Sequence, residues 1–146
     1  MRRRPVSVRW VCIVVVALFA GIQFYPRVTR DNPPVTGGIR APDEVLRILR
    51  RSCFDCHSHE TRWPWYSRVA PVSWFIGGHV AEGREHVNFS TWEADDPMSR
   101  LWNVGEIVRK VEVGEMPPPS YLWIHRAARP DREALERLRL WAASGD

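Results

Sequence analysis

Residues 53–57 read Cys53-Phe-Asp-Cys56-His57: two cysteines with two residues between them, and a histidine directly after the second. Thiols at this spacing stand one helical turn apart, and the histidine is carried along beside them. A C-x-x-C-H run is the attachment signature of c-type haem. Each thiol can form a thioether with one vinyl group, holding the neighbouring imidazole beneath the porphyrin where a ring nitrogen ligates iron. With this chain's three cysteines and five histidines, the pattern arises by chance about 0.002 times. The expectation is one haem c, bound covalently through Cys53 and Cys56, with His57 on the iron.

Rival uses of the same residues fit less well. A zinc site could take Cys53, Cys56, His57 and His59, but structural zinc usually recruits a second, distant ligand pair. No second cysteine pair exists, since Cys12 stands alone in an apolar run. A thioredoxin-like dithiol wants a βαβ context that is missing here. A disulfide across two intervening residues would close almost no loop.

The sixth iron position has several candidates. Met98 follows Pro97 at a helix start. Met116 lies in Gly114-Glu-Met-Pro-Pro-Pro119. A thioether is a weak, neutral ligand, so its loop must hold it; prolines fix backbone angles after Met116, and Gly114 permits close approach. Met116 is therefore the expected second axial ligand. His79, His86 and His125 compete with it, while His59 is too near His57 to reach the opposite haem face. Were the position open, His79, His86 or Glu82 would serve as distal proton-transfer groups, as in a haem peroxidase or a gas sensor.

Around the motif the periodicity is helical, and alternating stretches are absent. Pro42, Asp43 and Glu44 open a helix in which Val45, Leu46, Leu49 and Cys53 recur on one side. Further helices are expected over Val72–Val87, despite Gly77 and Gly78, over Pro97–Val113, and after Pro130 with Asp131 as cap. Loops fall at Trp63–Ala70, Asn88–Asp96 and Gly114–Ile124. The fold class is all-α: a small cytochrome c-like helical domain around one haem. Trp63, Trp65, Tyr66 and Trp74 follow the motif closely, either as ordinary packing or as a wall around the porphyrin with Arg62 or Arg68 at the propionates. Asn88-Phe-Ser90 matches a glycosylation acceptor pattern without further support.

Upstream the chain changes character. Arg2, Arg3, Arg4 and Arg9 precede an apolar run from Trp10 to Tyr25. This run is read as a single transmembrane helix, residues 10–25, after a cytoplasmic tail at 1–9. A cleaved signal peptide would want a better A-x-A site. Residues 26–41, rich in proline and glycine, read as a tether, and 42–146 as the exported domain. The chain carries 21 Lys+Arg and 17 Asp+Glu, so its basic excess sits entirely in the four leading arginines. A folded part without net charge argues against nucleic-acid binding. A hydrophobic content of 45% with eight tryptophans argues against a disordered chain.

Four stretches are also familiar together: CFDCHSHETRWPWYSRVAPVSW (53–74), EGREHVNFSTW (82–92), GEMPPPSY (114–121) and the terminal helix. They resemble the bacterial haem-binding domain family of small membrane-anchored c-type cytochromes, over roughly residues 42–144. The resemblance implies one covalent haem, His57 as proximal ligand and a periplasmic location. Its MPP-type loop is similar to the distal-methionine loop of class I cytochromes c, which would place Met116 on the iron. The function expected is that of a single-haem electron carrier on the outer face of the cytoplasmic membrane. Its partners would be other redox proteins, with no small-molecule substrate.

Overall fold

Seven α-helices and three short 3₁₀ turns, with no strand, form the secondary structure of residues 7–24 and 28–145, the part described by the computed structural model. In chain order the helices are α1 (Val8–Ile22), α2 (Asp43–Ser52), α3 (Phe54–His57), α4 (Val72–His86), α5 (Pro97–Glu112), α6 (Pro119–Leu122) and α7 (Arg132–Ser144). The all-α class agrees with the helical periodicity. The four expected helices around and after the motif form within a residue or so of their expected limits. Asp131 caps α7 by accepting Ala134 N–H at 2.8 Å, and Asp96 caps α5 by accepting Met98 and Ser99 N–H, each at 3.0 Å.

The chain divides into two compact units: Asp31–Arg62 with Val80–Asp146, and Met1–Arg30 with Trp63–His79. In the larger unit α7 packs against α2 and α5. The apolar stripe read from the sequence supplies the core: Val45, Ile48 and Leu49 of α2, Val104 and Val108 of α5, Leu138 and Trp141 of α7. Burying a side chain such as Leu49 or Leu138 contributes about 2 kcal/mol. Arginine–carboxylate pairs edge the same contacts, Arg137 with Glu44 and Arg139 with Glu112 at 2.6 Å. The motif joins this core through Phe54, whose ring stacks on Phe89 at 5.1 Å.

The tether expected over 26–41 takes another form in its described part. Residues 31–41 belong to the larger unit and are bonded into it. Ile39 is buried in the core and its N–H donates to Phe89 O at 2.8 Å. Thr36 and Gly37 donate to Ser90 O, and Glu93 donates back to Gly37 O at 3.0 Å. Arg84 reaches Asp31 O, Asn32 Oδ1, Thr61 Oγ1 and Ser58 O at 2.8–3.2 Å. Prolines excluded helix here, as the composition implied, yet they did not exclude docking by hydrogen bonds from the rest of the backbone.

The smaller unit departs further from the expected boundaries. Residues 63–79, read as part of the haem domain, group with the N-terminal residues. The reason is local: the Gln23 side-chain amide donates to Ala70 O at 3.2 Å and accepts Ala70 N–H at 2.9 Å. Gly77 leaves room for Val28, whose Cγ1 would clash with the Cβ that a glycine-to-alanine change would add. The apolar run does form a helix, but α1 has 15 residues, about 22 Å, against a hydrocarbon core of about 30 Å. Among the described residues no helix is long and apolar enough to cross a membrane. Gln23 ends α1, and Arg2, Arg3, Arg4, Tyr25 and Pro26, which completed the expected anchor and its flanks, lie outside the described residues.

Candidate functional site

Cys53, Cys56 and His57 occupy one tight element. Cys53 ends α2, its N–H bonded to Leu49 O at 2.8 Å, and the chain restarts as the single turn α3, where Cys56 and His57 both donate to Cys53 O. Both thiols are free. Burial pushes the Cys53 thiol up to about 12, with the neighbouring Cys56 adding to the effect. Burial also pushes Cys56 up to about 11, reinforced by Asp55 and opposed by Arg84. Burial thus favours the neutral form of both thiols. Among the described residues, no three His, Cys, Asp or Glu side chains converge as a metal site. His59, the fourth ligand of the zinc reading, has both ring nitrogens engaged: Nδ1 donates to Pro34 O at 3.0 Å and Nε2 accepts from Asn88 at 2.8 Å.

His57 is oriented from α4. Its Nδ1 lies 2.8 Å from Gly83 O and 3.1 Å from Val87 O. Carbonyl oxygens only accept, so Nδ1 carries the proton and the Nε2 lone pair is left for a metal. Burial holds the imidazole below the ordinary histidine value, which keeps it neutral, while the two carbonyls act in the opposite sense. A hydrogen-bonded second nitrogen is the usual way a ligating histidine is fixed. The ring of Phe89 lies 6.1 Å from the His57 ring, and Phe89 N–H donates to His57 O at 2.8 Å. Gly83 itself admits the motif: a Cβ there would lie 2.8 Å from Cys56 O.

The loop carrying Met116 folds back onto α5. Gly114 adopts φ 74°, a left-handed conformation that suits glycine. Glu115 and Met116 N–H both bond Lys110 O, at 3.0 and 3.1 Å. Beyond the prolines, Tyr121 donates its hydroxyl to Asp55 Oδ2 at 2.8 Å. The expected methionine loop is thus tied to the residue between the two cysteines, and Met116 itself is 37% exposed. The Tyr121 hydroxyl is held above its ordinary value by burial first and by Asp55 second. Removing it in Tyr121→Phe leaves Asp55 with Arg62 alone. We expect a loss of about 1–2 kcal/mol, read as a lower midpoint in chemical denaturation.

The other expected residues fall elsewhere. Arg62, one candidate for a propionate, pairs with Asp55 at 3.2 Å. His79 and His86 do lie on α4, yet each donates Nδ1–H to its own helix, to Phe75 O at 2.9 Å and Glu82 O at 3.0 Å. Met98 stands in the first turn of α5, 73% exposed, at the edge of a cavity of about 750 Å³ shared with His86, Ser99, Trp102 and Glu106. In the smaller unit Trp65 is exposed, whereas Trp63, Tyr66 and Trp74 are half-buried. The Trp63 Nε1–H is buried without a partner among the described residues. Gly83, Asp55, Tyr121 and Arg84 were not anticipated as site residues. The one signal for them was their place inside the stretches that resemble the family.

Free thiols one turn apart and a neutral imidazole whose Nε2 makes no hydrogen bond among the described residues are donors that fit a haem. A family profile for a haem-binding domain matches residues 14–144. No curated protein and no solved structure matches the chain. With nearly its whole length matched, the chain belongs to the haem-binding domain family, and haem is its cofactor.

Proposed function

We propose that the protein is a mono-haem c-type cytochrome that carries electrons at the outer face of the cytoplasmic membrane. The observation that carries this reading is His57, whose Nδ1–H is committed to Gly83 O and Val87 O. That leaves Nε2 as a permanent, neutral donor beside two free thiols. Cys53 and Cys56 would take the thioether bonds, and His57 and Met116 would be the side chains that hold the iron. The bound haem supplies one-electron exchange at its iron. The protein's residues hold the two axial donors in place: α4 aims His57, and the Tyr121–Asp55 bond ties the Met116 loop to the motif. A haem held by both side chains would leave no iron position for a substrate, which would suit carriage of electrons. Histidine–methionine ligation sets a higher potential than two histidines would, because a neutral thioether favours the reduced ion.

Partners of such a carrier are other redox proteins, which exchange through small, short-lived interfaces. The membrane assignment is supported by α1, whose side chains are apolar apart from Arg9 and exposed, a surface suited to lipid and not to water. The four leading arginines orient it with its N-terminus inside, which puts the haem domain where covalent attachment occurs.

The test is Met116→Ala in the haem-loaded chain. We expect the reduction potential to fall and the reduced protein to bind carbon monoxide at once, while Met98→Ala changes neither. Unchanged behaviour of Met116→Ala removes Met116 from the iron. Carbon monoxide binding by the unaltered protein would indicate an open position, and with it a peroxidase or a gas sensor.

A further inference from the structure

Within the smaller unit, three contacts gather residues 67–77 at the C-terminal end of α1. Gln23 exchanges two hydrogen bonds with Ala70, Arg30 donates to Ser67 O at 3.2 Å, and Val28 fills the space over Gly77. The stretch Trp63–His79 of this unit turns large apolar side chains outward. Trp65 is 78% exposed, Phe75 55% and Val72 43%. Val72 and Phe75 are three residues apart in the first turn of α4 and so share one side of it. Arg30 and Arg68 are exposed on the same segment and its clasp.

We propose that Trp65, Val72 and Phe75 form an aromatic collar that seats in the phospholipid interface where α1 leaves the bilayer. The proposal rests on the reading of α1 as the membrane anchor and gives that anchor a second contact. Tryptophan and phenylalanine at the end of an apolar helix, with arginines beside them, have the composition of a membrane–water interface, where rings sit at headgroup level and cations meet lipid phosphates. The segment carrying the collar is joined to the end of α1 by Gln23 and Ala70, and the apolar side chains of α1, among them Val14, Val16 and Leu18, are exposed. A helix lying flat on a membrane would need a strongly polar face, which α1 lacks. At about 22 Å α1 is short for the bilayer, and short spans depend on flanking aromatic and basic residues for their fit. The collar supplies those at one end. It also limits how far the segment after α1 can swing from the lipid surface.

The test uses the full-length, haem-loaded chain in vesicles of phosphatidylethanolamine and phosphatidylglycerol. A photoreactive benzophenone amino acid is placed in turn at Leu18, Trp65, Phe75 and Trp123. All four positions are exposed, Trp123 as much as Trp65 at 78%, and haem absorbance verifies that each variant has folded. We expect lipid adducts at Leu18, Trp65 and Phe75 at several times the yield found at Trp123. Adducts at Leu18 with only the Trp123 level at Trp65 and Phe75 would overturn the collar and leave the anchor standing. No adduct at Leu18 would overturn the anchor. Crosslinks from Trp65 and Phe75 to protein in place of lipid, when membranes of the producing cells are irradiated, would make this surface a protein-docking face and overturn the proposal.

Discussion

Exported from a host that attaches haem, the double variant Cys53→Ala, Cys56→Ala is expected to carry no covalent haem. Denaturing gels stained for haem should show a band for the parent and none for the variant, while each single variant keeps one thioether at reduced yield. The expectation follows from the two free thiols in one tight element and from the absence of any other pair. A haem-stained band surviving in the double variant would overturn covalent attachment at this motif. The same thiols give the haem-free chain a signature in alkali. Their folded values of about 12 and 11 lie above the ordinary 9.0, so the folded state holds these protons more tightly than the unfolded one. Stability is therefore full below pH 9 and falls as pH rises from there through the folded values. Thioether attachment of haem would remove both titrations, and with them this contribution should vanish. Alkaline unfolding curves of the two forms check it.

A single methyl group placed at Gly83 is expected to do nearly as much damage. Replacing a helical glycine by alanine ordinarily stabilises by up to about 1 kcal/mol, and Gly78→Ala, where a Cβ meets nothing within 4 Å, should show that gain. At Gly83 the new Cβ would lie 2.8 Å from Cys56 O, 3.2 Å from its carbonyl carbon and 3.3 Å from its Cβ. These are backbone and root atoms that cannot swing aside, so α4 and the motif must separate. Overpacking of this kind costs about 1–3 kcal/mol. It also moves the carbonyl that holds His57 Nδ1. Gly83→Ala should lower both the thermal midpoint and the haem yield, and weaken the axial-ligand features of whatever haem is incorporated. An unaltered yield and spectrum would mean that the Gly83 contact does not position His57.

Much of this protein was legible in local sequence. The candidate haem motif is three residues in five, so it can be read without knowledge of the fold. The helices α2, α5 and α7 follow from apolar residues recurring every three or four positions, and from Pro42, Pro97 and Asp131 at their starts. Even Gly77, Gly78 and Gly83 did not prevent α4 from forming, because packing outweighs a weak helix propensity.

What required the tertiary structure shares one physical character: it depends on groups that meet across long separations in the chain. The acceptors that fix the His57 tautomer are the carbonyls of Gly83 and Val87, 26 and 30 residues away, and a carbonyl has no side-chain signature to read. The bond from Tyr121 to Asp55 spans 66 residues. Residues 31–41 look like slack chain by composition and are docked by Arg84 and by Ile39 in the core. The segment from Trp63 to His79 joins the N-terminal helix through Gln23. The sequence by itself determined which residues are candidates to hold haem and which stretches coil into helices, because both are set within one or two turns of chain. Only the tertiary structure decided how the imidazole is aimed, what ties the methionine loop to the motif and which segments belong together, because those are set by hydrogen bonds and close approaches between residues the chain keeps far apart.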